Sequence, residues 1–209
     1  LVICFAIAGL RHVSASNAAM RAGHRPNHQY GRHLSGRVVG IHGCGHVGKE
    51  VVRLLAPFQC EVLACDIADY SNFYAQTGVE QVDLPELLAR SEVLTLHLPL
   101  NGTTRGLYGA ETLAQLRPDC VLINTCRGHI VHEGALKEAL QSGHLGAACF
   151  DVFAVEPAND DKLLNIPGFL ATPHVGGSAE EARLAMGRAA IVGITKNFLP
   201  EPGVFPFDE

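Results

Sequence analysis

The run IHGCGHVG, residues 41–48, restricts the fold more than any other stretch of the chain. It carries three glycines spaced G-x-G-x-x-G, with two histidines and a cysteine between them. Two chemistries compete for it. Zinc ligands usually recur as C-x-x-C or at helical spacing, whereas His42, Cys44 and His46 alternate through glycines. Neither zinc pattern occurs elsewhere in the chain, so no metal site is expected. A phosphate cradle instead requires a strand before the loop, a helix opening from it, and an acid about twenty residues further on.

Those three requirements are met. RVVGIHG reads as a short buried strand. HVGKEVVRLLAPF places Val47, Val51, Leu54 and Leu55 at a helical period, and Pro57 helps to end the helix. CEVLACD is a second strand that finishes at Asp66, 18 residues beyond Gly48. Gly43 permits the tight turn, Gly45 lets the backbone approach a pyrophosphate, and Gly48 lets the helix pack close to the sheet. The helix N-terminus offers free N–H groups and partial positive charge to the phosphates. Asp66 can hydrogen-bond both hydroxyls of an adenosine ribose and would repel a 2′-phosphate, which favours NAD over NADP. His46 either flanks the pyrophosphate or is a surface group at the helix start. Cys44 reads as a small inert residue.

The alternation continues along the chain. DLPELLARS is a short helix and EVLTLHLPL a strand. Residues 110–116 are helical and CVLINTC is a strand. EGALKEALQSG is a helix ended by Gly143, LGAACFDVF a strand, and GFLATPH a last short strand. Ser178 caps a long helix, SAEEARLAMGRAAIVGITKNFL, with Glu181 completing a capping box. Strands alternating with helices imply a parallel sheet covered on both faces. Residues 26–36 form a polar connecting loop.

The opening LVICFAIAGL is too short an apolar run to span a bilayer. It lacks a basic leader before it and a small-residue cleavage site after it. It is expected to be the buried start of a helix that continues through RHVSASNAAMRAG until Gly23 and Pro26 stop it. The sequence preceding that helix is missing, so the chain reads as part of a longer protein.

Hydrophobic residues at 47% and charged residues at 18% of 209 support a substantial core. A net charge of -5, with no lysine- or arginine-rich run, argues against a nucleic-acid surface. Seven cysteines without a C-x-x-C pair suggest reduced thiols and a cytosolic setting.

The series GCGHVG, LHLPLNGTTRGLY, INTCRGHIVHEGAL, FDVFAVEP and TPHVGGS, in that order, resembles the D-isomer-specific 2-hydroxyacid dehydrogenase family over nearly the whole chain. The resemblance implies a Rossmann-type doubly wound α/β fold, with NAD as cofactor and hydride transfer between a 2-hydroxy acid and its 2-oxo acid. It implies a catalytic set of Arg127, Glu156 and His174. It places Gly43, Gly45, His46, Val47, Gly48, Asp66, Leu98, Pro99, Thr104, Thr125, Cys126, Arg127, His174 and Gly176 along the cofactor, with Asn124, Thr125 and Cys126 at the strand end by the nicotinamide, next to Arg127, and Asp151 at the nicotinamide carboxamide. The chemistry agrees. Arginine's planar fork suits a carboxylate and a polarised ketone. Histidine, with an ordinary pKa of about 6.5, can give and recover a proton, and a neighbouring carboxylate such as Glu156 orients the ring and raises that pKa.

Two positions depart from the family pattern. His132 stands where an aspartate is usual at a helix start, an expected small loss of stability. Cys126 replaces a usual alanine or serine beside Arg127, which would make the site oxidisable. The larger departure is the substrate-binding domain, which is largely absent. The expected organisation is a linking and dimerisation segment at 1–30, the NAD-binding domain at 31–178, and a C-terminal helix and tail at 179–209. The resemblance further implies a homodimer through the opening helix, a small-molecule substrate, no membrane partner, and little turnover by this chain alone. The alternative is an NAD-sensing, corepressor-like binding module on the same fold.

Overall fold

The computed structural model describes residues 1–24 and 30–196, with side chains through 194. The tail EPGVFPFDE, the expected helix end at 197–199 and residues 25–29 of the connecting loop lie outside the described residues. The chain divides into two compact units, Leu1–Pro173 and His174–Glu209.

The first unit runs α1 (Val2–Leu10), α2 (Val13–Arg21), β1 (Val38–His42), α3 (His46–Leu55), β2 (Glu61–Cys65), α4 (Ser71–Thr77), β3 (Glu80–Gln81), α5 (Leu84–Arg90), β4 (Val93–Leu96), α6 (Ala110–Ala114), β5 (Cys120–Asn124), α7 (Glu133–Gln141), β6 (Leu145–Phe150), α8 (Asp161–Leu164) and β7 (Phe169–Ala171). The strands form one seven-stranded sheet in the order β3-β2-β1-β4-β5-β6-β7. Every pairing in it is parallel.

Strand side chains alternate between faces, and each face has its own helices. Val39, Ile41, Val121, Ile123 and Cys149 pack with Phe5 of α1, Val51 and Leu55 of α3 and Tyr74 of α4. Leu94, Leu96, Leu122, Ala148 and Phe150 pack with Leu87 of α5, Leu113 of α6, Leu136 of α7 and Leu163 of α8. Because both faces are covered, the strands are near-continuous apolar runs, as parallel sheets require. β1 lies between β2 and β4, so the connections after β1 and β4 depart in opposite directions. The resulting switch point opens a crevice at the carboxyl ends of these strands. This is a doubly wound Rossmann-type sheet.

Two expectations are corrected. The single opening helix is two helices bent by 67°, with His12 between them at φ 53. Histidine is among the residues that tolerate the left-handed region. The Leu10 carbonyl, which a continuing helix would use, accepts instead from the Arg32 N–H at 2.9 Å. α1 buries Phe5, Ala6, Gly9 and Leu10 on the sheet, whereas α2 buries nothing. No single helix among the described residues is long and apolar enough to cross a membrane.

The second correction lies in the second unit. Its helix α9 spans Glu180–Lys196. Ser178 therefore falls short of the capping position, its N–H closing a turn onto the Val175 carbonyl at 2.9 Å. Glu180 and Glu181 occupy the first turn, where the helix dipole favours acids. The sequence reading also passed over α4, the two-residue edge strand β3 and the one-turn α8. β3 and α8, at two and four residues, are too short to display a period.

Candidate cofactor and active site

β1 ends at His42 and the chain turns at Gly43, whose φ of 94 is in the left-handed region. A Cβ there would press on the His97 carbonyl, and one on Gly48 would strike the Gly43 carbonyl. At Gly45 a Cβ would meet open space, so the backbone is bare on the side where a phosphate would lie. His46 and the exposed Val47 open α3, whose first-turn N–H groups have no intrahelical partner and are available to an anion at the loop. The cradle therefore fits a pyrophosphate.

Asp66 follows β2 directly. Its Oδ2 accepts from the Cys44 N–H at 2.5 Å and its Oδ1 from the Ala68 N–H at 2.9 Å. The three residues that raised the zinc question go separate ways. His42 is buried against Tyr108, with Nδ1 at 2.7 Å from the hydroxyl, Cys44 is buried, and His46 is exposed. Among the described residues no three His, Cys, Asp or Glu side chains gather to hold a metal.

The loop after β4 is knit by Asn101, whose Oδ1 accepts from the N–H groups of Thr103 and Thr104. The Thr104 hydroxyl donates to the Pro99 carbonyl at 2.6 Å. Leu98, Pro99 and Thr104 are thereby held beside the end of β4. At the end of β5, the Asn124 amide donates to the Arg127 carbonyl at 3.0 Å. Its Oδ1 accepts from the Cys126 N–H. Thr125 and Cys126 thus sit in a fixed bend, from which the exposed Arg127 emerges. Arg127 Nη1 donates to the Cys126 carbonyl at 2.6 Å.

Asp151 follows β6 and is 1% exposed. It accepts from the Thr172 hydroxyl at 2.5 Å, so β7 braces it. Glu156 Oε1 accepts from the Phe153 N–H at 3.0 Å, and the Glu156–Pro157 peptide is cis. Gly128 explains how these segments approach: a Cβ there would overlap the Phe153 backbone. The first unit therefore brings Arg127, Asp151 and the Glu156 loop to one edge of the sheet. His174 and Gly176 belong to the second unit, in the turn before α9. His174 is exposed and has φ 56.

Cys126 corrects an expectation. It is only 9% exposed, burial pushes its thiol pKa up, and its Sγ donates to Asn124 Oδ1 at 3.1 Å. A protonated, enclosed thiol is a poor oxidation target. His132 itself caps α7, since its Nδ1 accepts from the Ala135 N–H at 3.1 Å. Sequence reasoning missed His42, Tyr108 and Thr172 as parts of the site. It treated His97 as a neighbour at most, yet burial drives the pKa of His97, like that of His42, down to about 4.

A glycine cradle and its acid at the switch point of an open parallel sheet define a dinucleotide-binding α/β domain. The model of the D-isomer specific 2-hydroxyacid dehydrogenase NAD binding domain matches residues 3–176. D-3-phosphoglycerate dehydrogenase of Mycobacterium tuberculosis is 36% identical over 178 residues, 85% of this chain and 34% of that protein. Hydroxypyruvate reductase of Thermotoga maritima is 34% identical over 194 residues, 91% of this chain and 62% of that one. A crystal structure of a glyoxylate reductase from Paecilomyes thermophila superposes with a TM-score of 0.86 at 31% identity, over 93% of this chain and 60% of that one. The chain spans about a third of the length of the phosphoglycerate dehydrogenases it matches. It belongs to the D-isomer specific 2-hydroxyacid dehydrogenase family as its NAD-binding domain, and its cofactor is NAD.

Proposed function

We propose that this chain is the cofactor half of an oxidoreductase that moves hydride between nicotinamide and a D-2-hydroxy acid/2-oxo acid pair. The observation that carries this reading is the exposed Arg127 guanidinium at the end of β5. Only one of its donors is engaged by a described residue, while buried Asp151 stands at the end of the neighbouring β6. NADH, when bound, supplies the hydride. Arg127 holds the substrate carboxylate and polarises the carbonyl oxygen. Asp151 accepts from the carboxamide and orients the ring. His174 donates the proton to the developing alkoxide and recovers it in the reverse direction. Glu156 is assigned the part of stabilising protonated His174.

The relatives' names support acids of the glycerate, hydroxypyruvate and glyoxylate type. Side-chain selection is expected to come mostly from the substrate-binding half, so this chain alone should turn over little. Apolar α1 and the odd cysteine count support a homodimer in the cytosol on the same footing.

The test joins this chain to a substrate-binding half and compares it with its His174→Ala variant. Loss of 2-oxo acid reduction with NADH affinity retained supports the catalytic reading. Equal NADH binding with no turnover in either form would replace it with an NAD-sensing module.

A further inference from the structure

Tyr108 is fully buried and bonded in three directions. Its N–H donates to the Ile130 carbonyl and its own carbonyl accepts from the His132 N–H, both at 3.1 Å. These bonds pair it in parallel with Val131, on the segment that leaves Arg127. Its hydroxyl lies 2.7 Å from Nδ1 of His42, the last residue of β1 and the one before Gly43. Tyr108 thus joins the arginine segment to the strand that feeds the glycine loop.

Burial holds the Tyr108 phenol well above its ordinary pKa and lowers His42 to about 4, so both are neutral at neutral pH. Two apolar side chains would fill this space without enclosing polar atoms. Enclosing them is tolerable only because they bond each other, and that bond gives direction as well as packing.

The pair also sits on one side of the site. Tyr108 packs with Leu96, Leu122 and Cys126 on the face covered by α5–α8. The N-terminus of α3 lies on the other face, and Asp66, near enough to His42 to act on its charge, is tied to the glycine loop by its own bond from the Cys44 N–H.

We propose that Tyr108 is a positioning residue: through His42 it fixes the segment after Arg127 against β1 and so sets the nicotinamide half of the cofactor cleft. This rests on the assignment of residues 124–127 to the nicotinamide side.

The experiment is calorimetric titration of the full chain, and of its Tyr108→Phe and H42L/Y108F variants, with NADH and with ADP-ribose, which lacks nicotinamide. Tyr108→Phe keeps the ring and removes the bond. It should weaken NADH about three- to tenfold, the size of one buried hydrogen bond, and leave ADP-ribose within about twofold. The double variant leaves no polar atom of the pair unbonded. It should show the same split even if the single variant folds poorly. Equal weakening of both ligands, or no change in either, would overturn the inference and leave the pair a structural one. If the unaltered chain binds ADP-ribose but gains nothing from the nicotinamide of NADH, the nicotinamide assignment fails and takes the inference with it.

Discussion

The Cys44 N–H donates to Asp66 Oδ2 at 2.5 Å, so the glycine loop and the acid after β2 form one bonded unit. The second oxygen is fixed by Ala68. Each carboxylate oxygen keeps a further lone pair, and two ribose hydroxyls can donate to them without breaking the frame.

Asp66→Asn should therefore weaken NADH binding and narrow the preference over NADPH. Hydrogen bonds to a charged acceptor contribute about 1.5–3 kcal/mol, so the NADH Kd should rise about tenfold or more. Titration followed by the cofactor's own fluorescence suits a protein without tryptophan. An unaltered NADH to NADPH ratio would remove Asp66 from the specificity account.

His132 caps α7 through Nδ1. Removing the cap with His132→Ala should cost about 1 kcal/mol, and His132→Asp should recover it, with a small gain from the helix dipole. Urea midpoints at constant slope measure both. Wild-type stability in the alanine variant would show that the ring contributes nothing as a cap.

Buried His42 and partly buried His97 make the fold sensitive to mild acid. His42 and His97 are lowered by burial from 6.5 to about 4, with nearby Asp66 offsetting part of the effect at His42. Between those values the unfolded chain binds protons that the folded one refuses. Stability falls as pH drops through this window, by up to about 3 kcal/mol per histidine, and is unaffected above it. Glu92 acts lower on the scale. Burial disfavours its charge, but the Val38 N–H and Arg37 outweigh burial and hold its carboxyl below the ordinary 4.5. Its contribution is present above that value and is lost as pH falls below it. Thermal midpoints against pH should show a shallower decline for H42L/Y108F than for the unaltered chain between pH 6.5 and 4. Equal slopes would acquit His42.

Cys126 should resist alkylation in the folded protein while the exposed Cys4 reacts. Mass analysis of iodoacetamide-treated chain, native and in urea, distinguishes the two positions. Rapid native labelling of Cys126 would contradict the closed Asn124 bend.

The parallel sheet was legible because its strands are dense apolar runs, and the cradle because three glycines, a helix and Asp66 stand in register. The break at His12 was not legible. It depends on Arg32 reaching the Leu10 carbonyl from twenty-odd residues away, which no local propensity encodes. Nor was the His42–Tyr108 bond, which joins residues separated by 66 positions. The capping role of His132 was hidden for a different reason: an imidazole nitrogen can serve as the acceptor where the pattern led one to look for a carboxylate.

The parallel order of the sheet has a consequence for how the chain acquires its shape. Central strand β1 finds its second neighbour only in β4, and Glu92 at the start of β4 bonds the Val38 N–H across 54 residues of chain. Closing so long a loop comes before the contacts that reward it, so folding should be slow beside that of helical domains of similar size. On the ribosome, β1 and its glycine turn must wait, half-paired, until β4 emerges. The nucleotide cradle begins with β1 and is completed only with β4.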